Sequence, residues 1–191
     1  MNSLDVRGMS CPLPVVSVKR ALETAEGELR VLLDDGAPRE NVRRFAQGRG
    51  YQVQEEPLEG GFALTISGKK SPEVAVTGRA GATVMLIGTD RLGDGPEELG
   101  RLLMKNFIMT LIELPELPDR MLFINTGVLL TAAGSEVIEA LEALGNRGVE
   151  VLSCGICLDF FKKKETLAAG GVTNMFTIAE SLLQAGSVVR L

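Results

Sequence analysis

Three thiols and no imidazole set the chemistry within reach of this 191-residue chain. Cys11, Cys154 and Cys157 are its only cysteines, and histidine is absent. No Cys-His or Ser-His pair can form, which excludes protease- and esterase-type catalysis. Three cysteines without histidine also fall short of a four-ligand structural zinc site. A nucleophile here must be activated by backbone dipoles, by Lys or Arg, or by a partner. Cysteine suits that role, because its thiolate is the reacting form and is favoured near helix N-termini and cations.

Cys11 stands in Cys11-Pro12-Leu13-Pro14, where a helix is predicted to open and run to about residue 24. Proline is favoured in the first helical turn, where its missing N–H would be unpaired anyway. Cys11 then falls at the N-cap, where free N–H groups and the helix dipole favour a thiolate. Thiols in such places titrate at roughly 3.5–7.5. Pro14 stiffens the turn and holds the sulfur outward. Such a thiolate can attack a persulfide, accept its terminal sulfur and hand it on. A small buried residue at a turn is the plainer reading of the same position.

Ser153-Cys154-Gly155-Ile156-Cys157-Leu158-Asp159 lies where a strand of the second half runs out. In open parallel sheets chemistry gathers beyond the carboxyl ends of the strands. Cys-x-x-Cys leading into a helix is the spacing of dithiol redox motifs. Lys162, Lys163 and Lys164 follow and are candidates to stabilise a thiolate, although a solvated face explains a charge run equally simply. Ile156, between the thiols, is an apolar residue expected to bury one of them. Asn125 and Thr126 end a neighbouring predicted strand, placed either to bind substrate or to satisfy a turn. Gly93-Asp94-Gly95 lacks the third glycine of a dinucleotide fingerprint, and the acids after it would repel a pyrophosphate.

The predicted elements place these thiols in two domains. In residues 1–70, strands at 4–6, 29–34, 52–56 and 62–67 and helices at about 11–24 and 38–48 give the order βαβαββ, an α+β two-layer sandwich. Arg39, Arg43 and Arg44 share one side of the second helix, as a partner patch or a solvated face. Residues 71–82 read as a linker. In residues 83–191, strands at 84–87, 121–125, 149–153 and 187–191 alternate with helices near 97–114, 133–144, 159–168 and 174–184. That is an α/β doubly wound parallel sheet. The helix at 97–114 is apolar around most of its circumference, with Leu99, Leu102, Leu103, Met104, Phe107 and Ile108. This predicts a homo-oligomer formed through the second domain.

Composition narrows the partners. Residues 1–70 hold ten basic and ten acidic side chains, and the net charge of -5 belongs to the remainder. That balance, an aromatic content of 4 % and the absence of Trp disfavour nucleic acid. No apolar run approaches the roughly 20 residues of a membrane helix, and no secretory segment is visible. A cytoplasmic protein with reduced thiols is expected.

Leu4-Asp5-Val6-Arg7-Gly8-Met9-Ser10-Cys11-Pro12-Leu13-Pro14-Val15, continuing to Lys19-Arg20-Ala21-Leu22, resembles the signature of the TusA/SirA sulfur-carrier family over about residues 1–70. The resemblance implies a persulfide on Cys11, supported by Arg7, Pro12 and Pro14, with no metal or nucleotide cofactor. Residues 83–191 resemble the DsrE-like sulfur-transfer family, in which a cysteine near a strand end handles sulfur. The two-domain order, with Leu92-Gly93-Asp94-Gly95, Gly127-Val128, Gly134-Ser135 and the Cys154–Cys157 segment, resembles the YedF group, which is linked with selenium metabolism.

The reading is a cysteine-based sulfur or selenium carrier and transferase. Its expected partners are a protein donor such as a cysteine desulfurase and a downstream acceptor. Cys11 passes its cargo to Cys154, Cys157 resolves the product, and Lys162 supports the second site. An adaptor without thiol chemistry, or a dithiol oxidoreductase centred on Cys154 and Cys157, are the alternatives.

Overall fold

Leu29, Val31 and Leu33 are buried while Arg30 and Leu32 are only half-buried, and that alternation places one face of the first sheet against a core. The computed structural model describes residues 2–10, 12–25, 27–68 and 81–191. Described residues before 69 belong to one compact unit, and nearly all of those from 81 onward to a second. The predicted linker at 71–82 lies outside the described residues, apart from Gly81 and Ala82.

In the first unit β1 (Asn2–Asp5), α1 (Leu13–Thr24), β2 (Leu29–Leu33), α2 (Ala37–Gln47), β3 (Gln52–Leu58) and β4 (Gly61–Ser67) follow the βαβαββ order. The strands lie in the order β1-β2-β4-β3; β1 runs parallel to β2, and the other two pairings are antiparallel. Val15 and Val18 of α1 and Val42 and Phe45 of α2 bury against Val31, Leu64 and Ile66 of the sheet. Each such side chain contributes about 1.5–3 kcal/mol when fully buried. β1 starts at Asn2 rather than residue 4, because pairing Asn2 with Leu29 sets the strand level with the start of β2. β3 is an edge strand, largely exposed, and carries Glu55, Glu56 and Pro57.

The second unit contains β5 (Thr83–Ile87), α3 (Glu97–Leu111), β6 (Arg120–Phe123), α4 (Ile138–Asn146), β7 (Glu150–Cys154), α5 (Gly155–Phe160), β8 (Gly171–Thr173), the latter half of α6 (Met175–Gln184) and β9 (Ser187–Arg190). All five strands are parallel, in the order β8-β7-β6-β5-β9. The order steps one way from β5 to β8 and then returns to set β9 on the other side of β5. Every link between successive strands contains a helix, as parallel crossovers require. Met121, Leu122 and Phe123 are all fully buried, so β6 is covered on both faces.

Three local expectations are corrected. The strand predicted to reach residue 125 stops at Phe123, and a 3-10 helix, Asn125–Thr131, follows it. The helix predicted from 133 begins at Ile138, because Ala132 bridges to Leu167 and Gly134 takes a positive φ of 94°. The helix predicted at 159–168 is instead α5, which starts directly after Cys154 and ends where Lys162 adopts φ 55°. The chain beyond it forms β8, three residues long and too short to show a strand period.

Gly127 shows how tightly the turn after β6 is seated. A Cβ placed there would lie 2.3 Å from the Ile87 carbonyl oxygen at the end of β5. Gly127→Ala is therefore expected to destabilise the fold by about 1–3 kcal/mol, the usual cost of overpacking. Urea denaturation checks this, and an unchanged midpoint would show that the turn can move away from β5.

Candidate functional site

The approach to Cys11 is held by carboxylates. Arg7 Nε and Nη2 donate to Asp5 Oδ1 and Oδ2 at 3.0 and 2.6 Å, and the Arg7 backbone N–H also reaches Oδ1. These hydrogen bonds from Arg7 lower the Asp5 pKa to about 2. Gly8, at φ 71°, donates its N–H to Asp34 Oδ2 at 2.7 Å. Arg7, read from the motif as support for Cys11, thus has its charge engaged by Asp5. Asp5 and Asp34 were not singled out in the sequence, since the second lies 26 residues from the turn it holds.

Cys11 itself lies outside the described residues. The residues around it show one correction: the N-cap of α1 is Pro12, not Cys11. The Pro12 carbonyl already accepts the first helical bond, from Val16 N–H at 3.1 Å, and Leu13 N–H turns back to Ser10 O at 2.9 Å. Pro14 is buried in the first turn of the helix. On α2, Arg39 pairs with Asp35 and Glu55, and Arg43 with Glu55, which makes this a charge-paired surface.

At the carboxyl end of β7 the two remaining thiols differ sharply. Cys154 is the N-cap of α5 and only 1 % exposed, whereas Cys157, one turn on, is half-buried. Both are free. Burial pushes the Cys154 thiol up to about 11; backbone N–H groups of Cys157 and Ile156 pull the other way, and the Cys157 thiol adds to the rise. Cys154 is therefore a neutral thiol at physiological pH. Ile156 does not cause this burial, being itself 50 % exposed. The cover comes from the sheet and from the close seat of Gly155, where a Cβ would sit 3.1 Å from Val172 Cγ1.

Cys157 meets a different environment. The Asn125 backbone N–H donates to its sulfur at 3.1 Å, and Asn125 holds φ 49°. Thr126 Oγ1 accepts a long hydrogen bond from Asp90 N–H at 3.4 Å. Asn125 thus acts at the thiol rim through its main chain, which residue type alone does not reveal. Thr173, paired in register with Cys154, has a buried hydroxyl without a hydrogen-bond partner.

The lysine run does not supply the charge expected of it. Lys164 pairs with Asp159 at 3.6 Å. Lys163 lines a cleft of about 460 Å³ with Arg101, Lys105 and Glu136, a lining that includes neither thiol. Lys162 is exposed. The acids after Gly95 serve the start of α3, with Glu97 paired to Arg101 at 2.6 Å.

Comparison with known proteins bears on the first unit. Residues 2–68 match the family described as sulfurtransferase TusA. A candidate sulfur carrier protein of Methanocaldococcus jannaschii is 44 % identical over 69 residues, covering 35 % of this chain and 92 % of that protein. The solved SirA-like protein from Desulfitobacterium hafniense is 37 % identical over 35 % of this chain and 96 % of its own, with a TM-score of 0.33. The ychN protein from E. coli is 17 % identical over 58 % of this chain and 99 % of its own, with a TM-score of 0.46.

The buried Cys154 thiol has a consequence for stability. Its folded pKa, about 11, lies above the ordinary 9.0, so the unfolded chain loses this proton first. The stabilisation from a neutral Cys154 is full below pH 9.0 and is lost as pH rises through about 11. Over that window stability is expected to fall by about 2–3 kcal/mol, and Cys154→Ala should flatten this part of the profile. Denaturation midpoints measured from pH 8 to about 11 provide the check; parallel wild-type and variant profiles would refute it.

Proposed function

The chain belongs to the TusA sulfurtransferase family through residues 2–68, and from that footing we propose that it carries sulfur on Cys11 between protein partners. The observation that carries this reading is the match itself, which spans the whole Cys11-Pro12-Leu13-Pro14 segment and the Arg7-Gly8 turn before it. In the first step the Cys11 thiolate attacks the terminal sulfur of a donor persulfide. A new S–S bond forms on Cys11, the donor's S–S bond breaks, and the donor cysteine leaves as thiolate. A cysteine desulfurase is the class of donor that makes such a persulfide. An acceptor thiolate then repeats the exchange on Cys11. Arg7, Pro12 and Pro14 act by shaping the turn into α1.

The finer reading adds that the second unit is a DsrE-like sulfur-handling domain, in the order of the YedF group, and that the cargo is sulfur or selenium. Its support is the pair of free thiols at a strand's carboxyl end. Work in a reducing cytoplasm follows from that chemistry. No described helix is long and apolar enough to cross a membrane.

Self-association through α3 belongs to the same reading. Met104, Ile108 and Leu111 bury against the sheet core, while Leu99, Leu102, Leu103 and Met109 remain 41–53 % exposed on the same helix. A second copy laid on this face would cover them.

Two outcomes are expected. After incubation with a cysteine desulfurase and cysteine, the intact chain gains the mass of a sulfur atom on a peptide containing residue 11, and Cys11→Ala loses that gain. An undiminished gain on the same peptide in the variant would refute the carrier reading. In light scattering the chain is expected to run above its 20.4 kDa monomer mass, with Leu102→Glu returning it towards the monomer. A monomeric parent would refute assembly through α3.

A further inference from the structure

We infer that in the second unit Cys157 takes up the transferred atom and Cys154 resolves it, with the Asn125 backbone N–H holding the charge on the Cys157 sulfur. This deepens the carrier reading above, and it reverses the order of the two thiols expected from the sequence.

Accessibility is the first ground. Cys154 is 1 % exposed, so an incoming persulfide on another protein surface has no route to it. Cys157 is half-buried, and its neighbours on α5, Ile156 and Phe160, are 50 % and 79 % exposed. These two apolar side chains, one before the thiol and three after it, frame the sulfur with a surface that another protein can cover.

The second ground is the Asn125 turn. Its N–H points at Cys157 Sγ from 3.1 Å. Only Asn125 and Lys162 among the described non-glycine residues have positive φ. Such a conformation costs on the order of 1 kcal/mol or more and persists where the surroundings impose it. Here Gly127 is seated against the Ile87 carbonyl, and Ile124 N–H donates to the same carbonyl at 3.0 Å. The anchored turn leaves the Asn125 N–H directed at the thiol. An N–H donor stabilises a thiolate, and equally a perthiolate, more than the neutral thiol.

The third ground lies beneath Cys157. Burial keeps the Cys154 thiol protonated, and the Cys157 thiol one turn on adds to that. Thr173, level with Cys154 on β8, is 1 % exposed with its hydroxyl unpartnered. An unpartnered buried hydroxyl is uncommon.

The steps balance. The Cys157 thiolate attacks the terminal sulfur of an incoming protein persulfide; an S–S bond forms on Cys157, the carrier's S–S bond breaks, and the carrier leaves as thiolate. Cys154 then attacks the Cys157 sulfur. A Cys154–Cys157 disulfide forms, the terminal sulfur leaves as hydrosulfide, and the Cys154 proton goes with it. Two thiols are oxidised and one sulfane sulfur is reduced, with no outside oxidant. A small dithiol reductant reopens the disulfide for the next cycle.

The test uses the full chain with Cys11→Ser, reduced and then exposed to inorganic tetrasulfide, with peptide mapping over time. The expected product is the Cys154–Cys157 disulfide. Adding Cys154→Ser should leave a persulfide trapped on the Cys157 peptide. Adding Cys157→Ser, or separately Cys157→Ala, should slow all loading about tenfold or more. Gly127→Ala, which pushes the anchored turn off the Ile87 carbonyl, should slow loading of Cys157 about threefold or more in protein that remains folded. Loading of Cys154 at the parent rate without Cys157 would overturn the assignment, as would a persulfide that stays on Cys157 while Cys154 is present. Loading at the parent rate in folded Gly127→Ala would overturn the role of the amide. Because Cys11 is absent throughout, failure here leaves the carrier reading intact, and failure of Cys11 loading leaves this result intact.

Discussion

The register of β6 against β7 governs what can meet at the rim of the second unit. Phe123 lies opposite Ser153, so the two strands run out within a residue of each other. The chain that follows each one, the Asn125 turn and the passage from Cys154 into α5, therefore emerges side by side. A slip of one residue would exchange the two faces of the strand and set each side chain against neighbours packed for another. Burial of Met121, Leu122 and Phe123 on both faces makes that slip costly. The polar layer agrees with the same register, since the Ser153 hydroxyl meets Thr131 Oγ1 at 2.8 Å from the far end of the 3-10 segment. The sulfur chemistry proposed above thus depends on packing that holds no reactive group.

The two units organise their thiol-bearing turns by different means. In the first, exposed charge does the work: Asp5 clasps Arg7, and Asp34 takes the N–H of Gly8. Such contacts are strong in geometry but open to solvent and salt. In the second, close approach does the work: Gly127 and Gly155 admit neighbours that a side chain would push away.

The alternating Leu29, Val31 and Leu33 and the apolar run at 84–87 placed both sheets correctly from residue types alone, because burial patterns repeat along an element. The Cys11-Pro12-Leu13-Pro14 motif likewise announced the start of a helix, within one residue of its N-cap. What the residues could not announce was anything carried by the main chain or by pairing across distance. The hydrogen bond to Cys157 comes from the backbone of Asn125, the cover on Cys154 from strands elsewhere in the sheet, and β8 is defined by its partner β7 rather than by a pattern of its own. The expectation that Cys154 receives the cargo came from its likeness to the strand-end cysteine of the DsrE-like family, whereas the exposure of the two thiols follows from which one ends the strand.

β3 forms one open side of the first sheet, and its residues affect how other proteins can approach. Pro57 has no N–H to offer an added strand. Glu56 is held by Arg30 at 2.8 Å, and Glu55 by Arg39 and Arg43, so an incoming backbone would have to strip water from paired charges. A molecule that trades cargo with a succession of proteins has to be easy to meet and easy to leave. By discouraging strand addition along β3, the sheet avoids a sticky contact that would outlast an exchange. Visitors are left to recognise side-chain surfaces, where they can let go.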